Sequence, residues 1–258
     1  MIDIHSHILP HIDDGSKSWE MSIDMAKQYV EEGYKKVIAT PHWIEFSGTS
    51  FRKENEERLE ELKEKLKEEK IDLEVVLGNE IFINLDIDKY IEDKEASSLG
   101  DSKYILIEFS RNDYPSFIDS VLYDLQLKGY RPIIAHPERY RYVWENPNLV
   151  VDWIEKGALM QMNLPSILGI YGKPQKETAE ILLKNNMIHF LATDSHSNKR
   201  RSPKTAKGME EVKKLVAKEV FEDIAINNQY KLLNNDDIKV QEYRRYKSKR
   251  KWFKFWER

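Results

Sequence analysis

Two histidines two residues apart, His5 and His7, stand in the opening stretch Met1-Ile2-Asp3-Ile4-His5-Ser6-His7. Ile2 and Ile4 alternate with Asp3 and His5, the period of a β-strand, and side chains two apart on a strand share a face. Both imidazoles therefore point the same way at the strand's end, near enough to grip one cation. Groups of the same chemistry recur at the ends of other short apolar runs. His42 follows KVIAT, Glu80 follows LEVVL, Glu108 lies within YILIEF, His136 follows RPIIA, and Asp194 and His196 follow IHFLAT. Asp13 and Asp14 lie in the loop after the first run. The chain has no cysteine, so any such site is built from imidazole and carboxylate, a set suited to Mn, Fe or Zn chemistry rather than to a structural thiolate site.

The elements that must position these groups follow from the same runs. Seven segments read as strands: Ile2 to His7, Lys36 to Thr40, Leu73 to Leu77, Tyr104 to Phe109, Arg131 to Ala135, Leu159 to Met162 and Ile188 to Thr193. Between them lie helical stretches at Trp19–Glu32, Arg52–Lys70, Ile87–Glu92, Phe117–Lys128, Leu149–Lys156 and Gln175–Asn185, with closing helices at Met209–Ala217 and Phe221–Asn227. Ser16 is placed to cap the first helix. The charged stretch Arg52–Lys70 carries Leu59, Leu62 and Leu66 at helical spacing and reads as a solvated amphipathic helix. Strands alternating with helices are the pattern of parallel βα units. No linker divides the chain before its tail, so the expectation is a single α/β domain, a distorted (β/α)7 TIM-like barrel over 1–240, with a doubly wound open sheet as the alternative. Neither a GxGxxG nor a P-loop pattern follows any strand. In a (β/α) barrel the strand ends meet on one rim, and five of the seven histidines fall at such ends.

Composition narrows the classes. The 258 residues, 40% hydrophobic and 33% charged, suit a soluble globular protein with a sizeable core. No run approaches the ~18 apolar residues of a membrane span. A strand beginning at the second residue leaves no room for a signal peptide, so a cytoplasmic location is expected. A net charge of −4 gives no nucleic-acid footprint, and no nucleic-acid partner is expected. Without cysteine, thiolate-based phosphatase chemistry is excluded.

Singly, each candidate has a bland alternative. Glu80 could cap a helix, Glu108 could be a strand-edge carboxylate, and His42 and His136 adjoin prolines and could be buried turn residues. Jointly, the bland reading needs all of them to coincide on one rim, which favours a polynuclear metal site. His189 begins its strand, at the opposite end, and His11 has nothing to fix it in the loop.

The segments DIHSHILPHIDDGS, ATPH, GNE, HPERY and ATDSHS resemble the PHP (polymerase and histidinol phosphatase) superfamily, and within it the bacterial CpsB/CapC-like capsule-type tyrosine-protein phosphatases. The likeness runs in order from Met1 to about Lys214. It implies a distorted (β/α)7 barrel and a trinuclear site that prefers Mn²⁺, with Fe, Zn, Co or Mg as other metals. Carried over residue by residue, it makes His5, His7, Asp14, His42, Glu80, Glu108, His136, Asp194 and His196 the metal ligands. Asp14 is preferred to Asp13 because it directly precedes Gly15. The implied activity is metal-dependent hydrolysis of phosphotyrosine by a metal-activated hydroxide. The implied partner is the phosphorylated tyrosine-rich tail of a bacterial tyrosine autokinase that controls capsular or extracellular polysaccharide synthesis. A small-molecule phosphatase of the histidinol-phosphate type, a phosphodiesterase, and a non-catalytic kinase-docking module are the alternatives.

Arg139, three residues after His136, is the expected phosphate clamp, because its planar fork suits bidentate contact with phosphate oxygens. Arg200 and Arg201, just after the last candidate ligands, could do similar work or could be solvated charges. The tail 241–258 stands apart, with eight Lys/Arg interleaved with Tyr243, Tyr246, Trp252, Phe253, Phe255 and Trp256. Three readings are open for it: peripheral contact with the inner face of the membrane, a docking segment for an acidic or tyrosine-rich partner, or a final helix packed on the body.

Overall fold

Each of the seven apolar runs forms a strand, and among the described residues all strand pairings are parallel. The computed structural model describes residues 1–47 and 51–247. In chain order the elements are β1 (Ile2–Ser6), α1 (Trp19–Glu31), β2 (Lys36–Ala39), β3 (His42–Trp43), α2 (Arg52–Glu68), β4 (Glu74–Leu77), β5 (Glu80–Phe82), α3 (Ile87–Glu92), β6 (Tyr104–Glu108) and α4 (Ile118–Leu127). They continue with β7 (Arg131–Ala135), α5 (Arg141–Glu145), α6 (Leu149–Glu155), β8 (Leu159–Asn163), α7 (Leu164–Ile167), α8 (Lys173–Lys184), β9 (Phe190–Ala192), α9 (Ala206–Lys213), α10 (Lys218–Glu222) and α11 (Asn228–Leu233). The result is an α/β fold with two parallel sheets, ordered β1-β2-β4 and β3-β5-β6-β7-β8-β9. Backbone bonds also join the end of β1 to the segment after β9, from His7 N to Ser195 O and from Asp194 N to His5 O, each 2.9 Å.

β3 and β5 were not expected as strands, and their origin is local. Pro41 has no N–H to continue the β2 ladder. After the neighbouring strand β4, Gly78 comes so close to Leu99 and Ile38 that a Cβ there would lie 2.8 and 3.0 Å from their side chains. Asn79 spans the gap by donating its side-chain amide to Pro41 O at 2.9 Å. Both strands then resume in register, His42 opposite Glu80. The interruption moves the two residues most central to the site from the first sheet to the second.

Apolar packing lies on both sides of the sheets. Ile4, Ile38, Leu106, Ile133, Leu159 and Phe190 form a buried cluster contributed by the strands. The other faces pack under the helices, with Met25, Ala26 and Tyr29 of α1 against Leu59, Leu62 and Leu66 of α2. Each buried Leu, Ile, Met or Phe among them contributes about 1.5–3 kcal/mol by leaving water. Ser18, not Ser16, caps α1, accepting from Met21 N at 3.2 Å; Ser16 instead donates its hydroxyl to Ser18 O. The single closing helix expected at Phe221–Asn227 is instead α10, a π-turn at Asp223–Asn227, and α11.

The described part of the tail, residues 241–247, has no regular secondary structure, so no final helix begins there. It is held to the body: Arg244 N donates to Asn185 O, Arg245 pairs with Asp152 and Glu155, and Tyr246 N donates to Asn148 Oδ1 at 2.7 Å. Residues 248–258, on which the membrane and partner readings chiefly rest, lie outside the described residues. Among the described residues no helix is long and apolar enough to cross a membrane.

One buried polar group fastens α1 beneath the strand ends. Tyr29 Oη lies 2.7 Å from Asp3 Oδ2, 2.8 Å from Thr193 Oγ1 and 2.7 Å from Ser195 Oγ. Replacing Tyr29 with Phe leaves these buried acceptors short of a donor. The expected loss is about 1–3 kcal/mol, read as a lower urea midpoint at unchanged slope; an unchanged midpoint would contradict this account of the floor.

Candidate metal centre

The cage is built outward from Glu80, which is buried at the start of β5. Its Oε2 lies 3.0 Å from His5 Nε2, 3.3 Å from His7 Nε2 and 3.1 Å from His42 Nδ1. Its Oε1 lies 2.8 Å from His136 Nε2. Asp194 faces the same space: its Oδ1 is 3.5 Å from both His5 and His7 and 3.4 Å from His196 Nδ1. Asp14 Oδ1 reaches His196 Nε2 at 3.2 Å and His42 Nε2 at 3.4 Å. Glu108, at the end of β6, lies 3.5 Å from His42 and 3.6 Å from His136.

All nine residues expected from the sequence thus stand round one centre. Their donor atoms fall into three overlapping groups, each compact enough for one ion: His7, Asp14, His42 and His196; His5, His7, Glu80 and Asp194; and His42, Glu80 and Glu108. His136 belongs to none of the three and joins the cage through Glu80. His11 is exposed and takes no part. His189 accepts from Met160 N at 3.1 Å and belongs to none of the three groups.

The outer atoms of the ligands are held so that the inner ones converge. Gln161 Oε1 can only accept, so His5 Nδ1–H must donate to it, at 2.9 Å, which turns the Nε2 lone pair inward. Asp13 Oδ2 does the same for His7 at 2.6 Å and also accepts from His42 N. Asp13 thus stands behind His7 and His42, while Asp14 Oδ1 is the oxygen that reaches His42 and His196. Gln161 passes the order on to Asn163 at 2.8 Å, and Asn163 donates to Asp194 Oδ2 at 2.6 Å. Gln161 and Asn163 were not singled out, although their alternation with Met160 and Met162 in β8 marks a polar face. His136 and Asp194 leave their strands with φ of 32° and 50°, a region costly for residues with side chains and common at functional sites.

Several buried atoms of the cage lack a hydrogen-bond partner: Glu80 Oε2, Asp194 Oδ1 and His196 Nε2. Such atoms are rare unless something else satisfies them. Nitrogen and oxygen lone pairs aimed at a common space, mostly buried, are the donor set that divalent transition ions take, so the residues fit metal ions. The electrostatics without a cation agree. Burial works against charge on His5, yet Glu80 and Asp194 prevail and raise its pKa to about 9. For His42 burial again opposes the cation, but Glu80, Asp14 and Glu108 raise it to about 10. Burial, followed by the charge on Glu80, pushes Glu108 up to about 7. Protons thus do the neutralising that a cation would do.

Arg139 is buried and donates to Asp194 Oδ2 at 2.7 Å. Arg201 does so too, at 2.7 Å, whereas Arg200 is exposed. Spacing along the chain does not distinguish Arg200 from Arg201. Tyr171 lies beneath both guanidinium groups, its ring centre 4.9 Å from Arg139 Cζ and 5.9 Å from Arg201 Cζ.

Comparison with known proteins places this geometry in context. The family model described as capsular polysaccharide synthesis, CpsB/CapC, matches residues 1–234. The tyrosine-protein phosphatase YwqE of Bacillus subtilis is 43% identical over 202 residues, 78% of this chain and 80% of that protein. The putative tyrosine-protein phosphatase CapC of Staphylococcus aureus is 34% identical over 98% of this chain and 99% of its own length. A crystal structure from work on YwqE and Streptococcus pneumoniae CpsB, described as unique metal-dependent tyrosine phosphatases, superposes with a TM-score of 0.91 at 38% identity. That likeness covers 96% of this chain and all of the other.

Gly15 offers a test in which no cage residue is itself substituted. A Cβ there would lie 2.4 Å from both His7 Cβ and His7 O, so Gly15→Ala must push the Asp13–Asp14 loop away from β1. The expected result is a loss of roughly 10-fold or more in metal affinity, measured by calorimetric titration with Mn²⁺; wild-type affinity would mean the loop does not set the cage.

Proposed function

The chain belongs to the CpsB/CapC family of capsular polysaccharide synthesis proteins, and from that premise we propose that it is a metal-dependent tyrosine-protein phosphatase. The observation that carries the reading is the meeting of a cage of nine imidazoles and carboxylates with two arginines on the far oxygen of its Asp194. The nine are read as the ligands of three ions, His136 entering through the carboxylate of Glu80. Manganese is the proposed metal, because the donors are nitrogen and oxygen only.

What divalent cations supply in such a cage is a water acidified toward neutrality and positive charge against phosphoryl oxygens. The protein's own residues do the rest. Arg139 and Arg201 each spend one nitrogen on Asp194, and the buried Nε of Arg201 has no partner. Their remaining donors form a fork for phosphoryl oxygens. Asp194 holds both arginines on one oxygen and keeps the other for the cage, so the phosphate clamp and the cations are fixed relative to each other. The leaving phenolate, with a conjugate-acid pKa of about 10, needs less help from a proton donor than an alkoxide would.

Two finer points belong to the same reading. The two sheets are taken together as one distorted (β/α)7 barrel, interrupted at Pro41 and Gly78; the bonds between His7 and Ser195 and between Asp194 and His5 support this. The substrate is taken to be the phosphorylated tyrosine-rich tail of a bacterial tyrosine kinase, which suits the family's link to capsule synthesis.

Chelation with EDTA is expected to abolish hydrolysis of p-nitrophenyl phosphate and a phosphotyrosyl peptide, and Mn²⁺ to restore it; activity surviving exhaustive chelation would rule the reading out. Arg139→Ala is expected to lower kcat/KM by about 100-fold, the scale for losing one donor to developing charge. Bound metal should not change, because Arg201 and Asn163 still hold Asp194 Oδ2. Loss of metal instead would make Arg139 a structural residue.

A further inference from the structure

Beside Arg139, a cleft of about 210 Å³ is lined by Arg111, Asn112, Arg139, Trp144, Tyr171 and Gln175, with none of the nine cage residues in its wall. None of these is acidic. Arg111 is exposed, and no ion pair involving it occurs among the described residues, unlike Arg139, which is spent on Asp194. Two aromatic side chains stand in the same wall, and Gln175 adds a buried Oε1 without a hydrogen-bond partner. The cleft is therefore cationic, partly aromatic and open to solvent at the Arg111 end.

Its walls are fixed relative to the clamp. The loop after β6 that carries Arg111 is tied to α5 by Arg141 N donating to Arg111 O at 2.8 Å. Tyr142 Oη reinforces it by donating to Ser110 O at 3.1 Å. Trp144 Nε1 donates at 2.6 Å to the carbonyl of Glu138, the residue before Arg139. Tyr171 lies under the Arg139 guanidinium itself. Whatever occupies this cleft is thus held at a set distance from the phosphate clamp, which is what a specificity subsite requires.

We propose that this cleft binds the polypeptide next to the phosphotyrosine, and that Arg111 selects substrates carrying an acidic residue there. The inference rests on the phosphatase reading above and deepens it. A phosphoryl group at Arg139 and Arg201 leaves the adjoining chain to pass along the cleft. A planar, unpaired guanidinium at the mouth favours a carboxylate and repels a lysine. Among the described residues no carboxylate pairs with Arg111, so its charge is open to the substrate.

The test compares two phosphotyrosyl peptides that differ only in flanking residues, glutamate in one and lysine in the other, on the Mn²⁺-loaded full chain, with p-nitrophenyl phosphate as control. The wild type is expected to favour the acidic peptide by about five-fold in kcat/KM, the scale for one exposed charge pair, with the preference shrinking at high salt. Arg111→Ala should bring the ratio near one, and Arg111→Glu should invert it, both with p-nitrophenyl phosphate turnover unchanged. An equal ratio in wild type and variants would overturn the subsite. A parallel fall on p-nitrophenyl phosphate would do so as well, since Arg111 would then be serving the reaction centre or the fold. A wild type inactive on all three substrates would instead sink the phosphatase reading, so the two failures are told apart.

Discussion

A carboxylate buried among imidazoles governs this molecule. Glu80 is almost wholly out of water, and burial alone would force it neutral; His5 and His42 hold it well below the ordinary range instead. Removing a charge from water costs several kcal/mol even after relaxation, and that cost is offset only where opposite charge and donors gather closely. The strand ends supply them from β1, from β3 and from the residue that follows β7. The fold is thus arranged so that charges which would be intolerable apart become mutually compensating at one place.

That compensation is organised by the outer atoms of the same side chains. Gln161, Asn163 and Asp13 fix which nitrogen or oxygen of each neighbour looks inward. Asp194 is the hinge between two tasks: one oxygen belongs to the cage, and the other collects Arg139, Arg201 and Asn163. The positive φ at His136 and at Asp194 is held in place by this surrounding network. Beneath it, Tyr29 and Asp3 tie α1 to the strand ends, so the rigidity of the site extends into the core.

A division of labour follows from position. The cage is buried and suited to cations; the two guanidinium groups lie at its edge, stacked on Tyr171; the cleft with Arg111 lies beyond them and opens to solvent. Glu80, His5 and Asp194 are almost wholly out of water, whereas Arg111 at the outer end is exposed. This order matches the chemistry, since the reacting atoms need the most fixed surroundings and the polypeptide around them the least.

Much of the site was legible in the sequence. Period-two alternation placed His5 and His7 on one face, apolar runs ended at His42, Glu80, His136 and Asp194, and the order of strands and helices gave the parallel α/β fold. Local pattern sufficed there because each of these ligands lies on a strand or within a few residues of its end. The sequence did not show that Pro41 and Gly78 would divide two strands and make β3 and β5, because that depends on the space between neighbouring strands and not on either segment alone. Nor did it separate Arg201 from Arg200, or reveal Gln161 and Asn163 as props of the cage. Those roles are set by contacts between residues far apart in the chain, such as Asn163 with Asp194 and Tyr171 with Arg139. The sequence determined which chemistry is present and at which strand ends; only the packed structure decided which atoms face inward, because burial and pairing across strands, not spacing along one, fix where a side chain's lone pairs point.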